Sequence, residues 1–100
     1  MIIYNVTVKI EQSLANDWVE WMKSKHIPDV IATGLFSTYR LCRIFEDEAD
    51  GGMTFATQYF CNNLDDFQKY QRDFAPALQK DHMDRYKDKY VAFRTLMEEL

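Results

Sequence analysis

The order of hydrophobic patterns along this chain of 100 residues constrains its fold more than any single residue does. Alternation typical of strands and the three-to-four spacing typical of helices follow one another in six segments, at about 2–10, 14–25, 36–45, 53–61, 64–73 and 90–96. The predicted order is therefore strand, helix, strand, strand, helix, strand. With right-handed crossovers, this order folds most simply into an α+β domain, the ferredoxin-like plait, in which a four-stranded antiparallel sheet carries two helices on one face.

Local signals predict where the first helix begins and ends. Ser13 is expected to cap its N-terminus. Pro28 is expected to hold Ile27 in an extended conformation, so the helix should end at about Lys25. Residues 77–86, after the second helix, are polar enough to form either a further amphipathic turn or an irregular segment.

Composition and charge restrict the classes of partner. The chain is short enough to form one domain spanning 1–100, and its formal net charge is -4 with a sequence pI near 5.0. Its lysines and arginines form no run, so we expect neither nucleic acid nor a membrane surface as a partner. The N-terminal segment alternates instead of forming a signal-peptide core, and no apolar run approaches the ~18 residues that span a bilayer. We therefore expect a cytoplasmic protein.

The cysteine, histidine and acidic groups do not have metal-ligand spacing. Cys42 and Cys61 lie in strand-like segments, so we expect two reduced, packed thiols. His82 has no second histidine at ligand spacing, and the acidic hairpin tip at 46–50 lacks the pattern of a calcium loop. We expect both to be solvated, and we expect neither a metal nor a cofactor.

The sheet face that the helices leave bare indicates an oligomer. Aromatic residues make up 15% of the chain, and they contribute to a predicted open face in which apolar groups outnumber charges. The candidates for this face are Ile3, Asn5, Thr7, Tyr39, Leu41, Phe45, Phe60, Ala92, Arg94 and Leu96. A soluble monomer rarely exposes such a surface, so we expect a homodimer that pairs sheet against sheet.

Three segments resemble a known family: Met-Ile-Ile-Tyr-Asn-Val-Thr-Val at the start, Trp18-x-x-Trp21-Met22-x-x-x-His26-Ile-Pro-x-Val-Ile-Ala-Thr-Gly34-x-Phe36, and Tyr90-Val-Ala-Phe-Arg94-Thr near the end. This family is a small bacterial group of uncharacterised domains, and the resemblance covers essentially the whole chain. It implies membership of the dimeric α/β-barrel group, in which two plaits pair through their sheets and the pocket lies between the helices and sheet of one subunit. That group includes cofactor-free monooxygenases, haem-degrading enzymes, muconolactone-type isomerases and ligand-sensing domains, so the resemblance implies a fold and no particular reaction.

His26 is the candidate catalytic residue. Its imidazole ordinarily titrates near neutral pH, so in a half-buried cleft it could serve as a general acid or base. The alternative is structural, with His26 closing the last turn of the first helix and donating to a free carbonyl.

Three arginines lie in predicted strands, Arg40, Arg43 and Arg94, and of these Arg40 and Arg94 are candidate ligand-binding residues. A guanidinium in a sheet is costly to bury unless it meets a carboxylate or an anionic ligand, and Arg40 and Arg94 are in this position. Arg94 is the stronger candidate, because its neighbours Val91 and Phe93 predict a position well inside the sheet. Ion pairs with acidic side chains are the alternative.

Trp18, Trp21 and Met22 are candidates for lining an aromatic slot, and Tyr59 is a further candidate ligand-binding residue. For Trp18, Trp21 and Met22, the structural alternative is that they form ordinary core, as helical stripes of this kind usually do.

These residues together support three hypotheses for the function. The first is binding of a small anionic or aromatic molecule in a pocket between helices and sheet, with a volume of roughly 300 Å³ or more. The second is a cofactor-free enzyme, similar to a monooxygenase or an isomerase, that uses His26. The third is a purely structural or regulatory interaction module.

Overall fold

The computed structural model describes residues 1–46 and 48–100. In these residues the strands are β1 (Ile2–Glu11), β2 (Thr38–Ile44), β3 (Gly52–Cys61) and β4 (Tyr90–Glu98). They form one antiparallel sheet in the order β2-β3-β1-β4. The helices are α1 (Ala15–Trp21), α2 (Ile27–Ile31), α3 (Leu64–Asp73) and α4 (Ala75–Arg85).

The connections between strands confirm the predicted ferredoxin-like plait. α1 and α2 lie between β1 and β2, whereas α3 and α4 lie between β3 and β4. β2 and β3 form the hairpin. The connection through α1 and α2 leads from β1 past β3 to β2, and the connection through α3 and α4 leads from β3 past β1 to β4. Residues 77–86 fall almost entirely within α4, so this segment is helical. Pro76 lies in the first turn of α4, where its missing N–H leaves no helical hydrogen bond unmade.

The pairing register divides the sheet into a covered face and an open face. On β1, Tyr4 and Val6 point toward the helices, whereas Asn5 and Thr7 point away. Several residues expected on the open face lie instead on the covered face: Tyr39, Leu41, Ala92, Arg94 and Leu96. The prediction mixed the two faces because a shift of one residue along a strand moves a side chain from one face to the other.

The first helical connection does not end where the sequence predicts. A 3₁₀ turn (Gln12–Leu14) leads into α1, and a π-helical turn (Met22–His26) joins α1 to α2. Ile27 is helical, with φ -62° and ψ -46°, and its N–H bonds to the Met22 carbonyl five residues back. Ser13 makes no side-chain cap. The wider turn gives the Pro28 ring the room that a regular α-helix would deny it.

The core lies between the covered face and the helices. Trp18, Ile27 and Val30 are among its fully buried side chains, and rings of Tyr4, Phe36, Tyr59, Phe67 and Tyr70 form an aromatic cluster beside them. Cys61 is buried as predicted. Cys42 is exposed, which corrects the prediction of a packed thiol, because it points to the open face opposite Ala56.

Ion pairs hold the hairpin tip between β2 and β3. Arg43 pairs with Glu48 at 2.7 Å, and Lys9 pairs with Asp50 at 2.5 Å. Asp50 is exposed, as expected for a solvated tip, whereas Asp47 lies outside the described residues.

Within 1–46 and 48–100, no helix has the length and hydrophobicity needed to cross a membrane.

Candidate functional site

A cavity lies between the covered face of the sheet and the helices. Its walls come from β1, β3 and β4 on one side and from the π turn, α3 and α4 on the other. The enclosed space is about 40 Å³, and the whole cleft with its solvent-open mouth is about 470 Å³. The sequence predicts a pocket of roughly 300 Å³ or more, and the space found is far smaller, so the predicted volume is wrong. A space of this size holds about one to three water molecules.

The structure brings most of the candidate residues to this cavity. His26, Met22, Tyr59 and Arg94 all line it. Trp18 lies behind the wall as fully buried core, in contact with the Phe55 ring.

Arg40 is separated from the other candidates by the sheet. It pairs with Gln58, whose side chain points to the opposite face from that of Tyr59. Its guanidinium lies over the Phe60 ring, 5.4 Å from the ring centroid. Arg40 therefore does not share a site with Arg94.

Arg94 is the charged side chain on the cavity wall within the described residues. It is exposed, which corrects the prediction of a position well inside the sheet, because β4 is an edge strand and leaves its side chains open to solvent on one side. The register places it opposite Val6 on β1, and no carboxylate lines the cavity within the described residues. The same part of the chain contains no ion pair that includes Arg94. Arg94 and Gln79 lie near the Tyr4 hydroxyl and act to lower the pKa of this phenol, against the larger effect of burial, which raises it.

Buried phenols form the deep wall of the cavity. Burial raises the pKa of Tyr4, Tyr59 and Tyr70 above the ordinary value of 10.0, so all three are neutral at physiological pH. Tyr59 is 2% exposed, and in the described residues its hydroxyl has no hydrogen-bond partner. A buried hydroxyl without a partner is costly, so this oxygen is available to a bound molecule or water.

His82 is a site residue that the sequence analysis misplaces as solvated. It is 8% exposed and lines the cavity from α4. The indole Nε1–H of Trp18 donates to its Nε2 at 2.9 Å. Leu78 and His82 lie on the inner side of α4, in line with Tyr86 just after its end, and this spacing was the signal that could have identified His82.

His26 lies inside the π turn, half-buried, and so does not close the first helix. Its ring centroid is 5.1 Å from that of Trp21 and 5.8 Å from that of His82. Burial lowers its pKa from 6.5 to about 4, although Asp29 and Asp81 act in the opposite direction. The ring is therefore neutral at pH 7, where one of its nitrogens can accept a proton, whereas the imidazolium form that would act as a general acid is scarce.

No group of three or more potential metal ligands occurs in the described part of the chain. The polar atoms of the cavity are those of phenols, imidazoles, an amide and a guanidinium.

Solved structures with the same fold include proteins of different activities. A dimeric ferredoxin-like protein from an uncultured marine organism has a TM-score of 0.72 at 5% identity, over 100% of this chain and 95% of that chain. A hydroxynitrile lyase from Passiflora edulis has a TM-score of 0.64 at 13% identity, over 99% and 95%. SnoaB, a cofactor-independent oxygenase from Streptomyces nogalater, has a TM-score of 0.57 at 11% identity, over 98% and 92%.

These identities are low, so the likeness shows the fold alone. No curated protein matches the chain. The resemblance to a family of uncharacterised domains is confirmed, because a family model matches residues 1–100, and the chain belongs to the family described as "Domain of unknown function (DUF4286)".

Proposed function

We propose that this protein is a homodimer that binds a small anionic molecule between the helices and the sheet of each protomer. The observation that carries the proposal is Arg94, a guanidinium on a cavity wall that contains no carboxylate among the described residues. Arg94 is exposed at the edge of the sheet, so its guanidinium is accessible to an anion, and its planar fork matches a carboxylate. The formal charge of -4 disfavours anions at the surface in general, so capture of one requires a local site such as this.

The size of the cavity limits what enters it. The enclosed 40 Å³ admits a group of a few atoms, such as a carboxylate head, and any larger part of the ligand would occupy the mouth of the cleft. Gln79 and Arg94 both lie near Tyr4 on the cavity wall, so an anion held by Arg94 would lie beside this phenol.

Replacement of Arg94 by methionine tests this function. Arg94→Met keeps a long side chain and removes the charge, so acetate should bind roughly 10-fold or more weakly, as expected for loss of a charge-assisted hydrogen bond. Arg40→Met is the matched control, because it removes an arginine from the other face of the same sheet. The measurement is a titration of each protein with acetate, followed by amide chemical shifts. Equal weakening by both variants would contradict a site at Arg94.

The homodimer is supported by the open face and by the fold. Val91 and Phe93, on the edge strand β4, are 67% and 63% exposed and point to the open face opposite Lys9 and Thr7. Exposed apolar side chains of this size usually mark an interface. The likeness to a dimeric ferredoxin-like protein favours the same interpretation.

A charge placed on the open face should separate the protomers. Phe93→Glu is expected to shift the protein from two copies to one at micromolar concentration, because an unpaired carboxylate would be buried in the interface. Met83→Glu is the control, since Met83 is 49% exposed on α4 in the helical layer. Sedimentation velocity distinguishes the two states. A wild-type protein that sediments as a single chain would refute the dimer.

A cofactor-free enzyme that uses His26 is the second candidate function. The observation that favours it is a neutral imidazole on the wall of the same cavity, able to accept a proton from a bound molecule. With Arg94 holding a carboxylate, His26 would serve as the base that removes a proton from a neighbouring carbon. Exchange of the methyl protons of pyruvate in D₂O is the test. We expect catalysed exchange that His26→Ala abolishes while acetate binding remains, and exchange that survives the substitution would exclude this role.

A further inference from the structure

The hydrogen bond between Trp18 and His82 fixes which nitrogen of His82 carries a proton. An indole N–H is only a donor, so the His82 Nε2 that it reaches at 2.9 Å must be the acceptor. A neutral imidazole then carries its proton on Nδ1. Both partners are buried, so water does not compete for the bond.

Packing holds both rings in this arrangement. The Trp18 ring lies against Phe55, with centroids 5.0 Å apart. The His82 ring meets the Tyr90 ring edge-on at 4.5 Å and the Tyr86 ring at 5.5 Å. Rotation of His82 to exchange its two nitrogens would require these rings to move.

Two of the groups that remain for a ligand, the Nδ1–H of His82 and the guanidinium of Arg94, can only donate. His82 lines the cavity, and its Nδ1–H makes no hydrogen bond within the described residues. The Tyr59 hydroxyl is likewise without a partner there. Arg94 supplies further N–H groups from β4.

We infer that His82 contacts the ligand as a hydrogen-bond donor, that Trp18 is its positioning residue, and that the site therefore selects a small carboxylate over the corresponding neutral amide. This inference rests on the proposed function of the cavity and names its ligand class. A carboxylate offers an acceptor oxygen to each of the donor-only groups, Arg94 and the Nδ1–H of His82. An amide has one oxygen and no charge, so its NH₂ group would face one of these donors without a partner. Sites of this kind discriminate strongly because a mismatched polar group loses its solvation without gaining a partner.

The tautomer of His82 in the wild-type protein is the first measurement. Nitrogen-15 NMR of histidine-labelled protein at neutral pH should show Nδ1 protonated and Nε2 unprotonated. Acetate should shift the Nδ1 resonance, and acetamide should leave it in place. A protonated Nε2, or a shift of equal size with acetamide, would overturn the inference.

Trp18→Phe tests the positioning role. It removes the N–H but keeps an aromatic ring, so His82 should no longer hold a single tautomer and acetate should bind roughly 10-fold more weakly, with no change for acetamide. Trp21→Phe is the matched control, because the Trp21 ring also contacts the His82 ring, with centroids 5.8 Å apart, but makes no hydrogen bond to it. Its His82 tautomer and acetate affinity should match those of the wild type.

The outcomes separate this inference from the proposed function. If Arg94→Met weakens acetate binding but Trp18→Phe does not, the anion site stands and the role of His82 is refuted. If the wild-type protein does not bind formate, acetate or benzoate, the proposed function itself is refuted. The tautomer measurement needs no variant, so a poorly folded Trp18→Phe protein would still leave the inference open to refutation.

Discussion

Acidification from pH 6.5 to about 4 is expected to lower the free energy of unfolding by several kcal/mol. Burial is the largest cause that lowers the pKa of His26 and of His82, in each case from 6.5 to about 4. Lys25 acts in the same direction on His26, whereas Asp29 and Asp81 oppose it. Arg94 and the charged form of His26 lower the pKa of His82 further.

The sign follows from which state takes up protons. Between about pH 6.5 and 4 the unfolded chain protonates both histidines, whereas the folded protein keeps them neutral. The unfolded state binds more protons in this window, so stability is fully present above it and is lost as the pH falls through it. A shift of this size corresponds to roughly 3 kcal/mol for each histidine, and the two contributions overlap because the rings interact.

Urea unfolding at a series of pH values measures this effect. His26→Gln should remove about half of the pH dependence, since glutamine does not titrate and His82 remains. A wild-type stability that is flat across the window would show that the histidines are not buried as neutral groups. An unchanged slope in the variant would assign the pH dependence to other residues.

Truncation of Trp18 is expected to be the most damaging single substitution. Trp18 is 0% exposed, packs against Phe55 and donates to His82. Trp18→Ala should lower the free energy of unfolding by about 4 kcal/mol, because it opens a cavity and leaves a buried imidazole nitrogen without its donor.

Trp21→Ala is the comparison that makes this prediction specific. Trp21 is also on α1 but is only half-buried, with the guanidinium of Arg85 over its ring. Its truncation should cost clearly less than that of Trp18 in the same urea experiment. Equal losses would mean that the burial of Trp18 and its bond to His82 contribute little.

The order of the elements was predictable because each segment repeats its pattern over several residues. Residues from Ile2 to Ile10 alternate with the period of a strand, and the structure has a strand there. The spacing of Leu64, Phe67 and Tyr70 has the period of a helix, and the structure has a helix there. The bounds of α3, Leu64–Asp73, agree with the prediction. Asn63 caps this helix by accepting from the Asp66 N–H at 2.8 Å.

The π turn was not predictable from local rules. Pro28 disfavours a helical residue before it, and this preference predicts an end to the helix. Ile27 and Val30 are each 1% exposed in the core, and their burial offsets the local cost of continuing the helical backbone past the proline.

The candidate site was predictable only in part, because it too depends on contacts between elements that are distant in the sequence. His26, Tyr59 and Arg94 could be named from residue type and strand position, and the structure brings them to one cavity. His82 was missed because the charged side chains beside it, Lys80 and Asp81, dominate the local composition. The volume of the cavity and the unpaired Tyr59 hydroxyl depend on side-chain packing between separate elements, which no local pattern encodes.

The claim that an anion binds between the helices and the sheet is tested most directly by nuclear Overhauser effects from the methyl protons of acetate. We predict contacts from acetate to the methyl groups of Val8 and Met22, which line the cavity, and their loss in Arg94→Met. Contacts confined to open-face methyl groups such as those of Val91, or contacts that persist unchanged in Arg94→Met, would contradict the account.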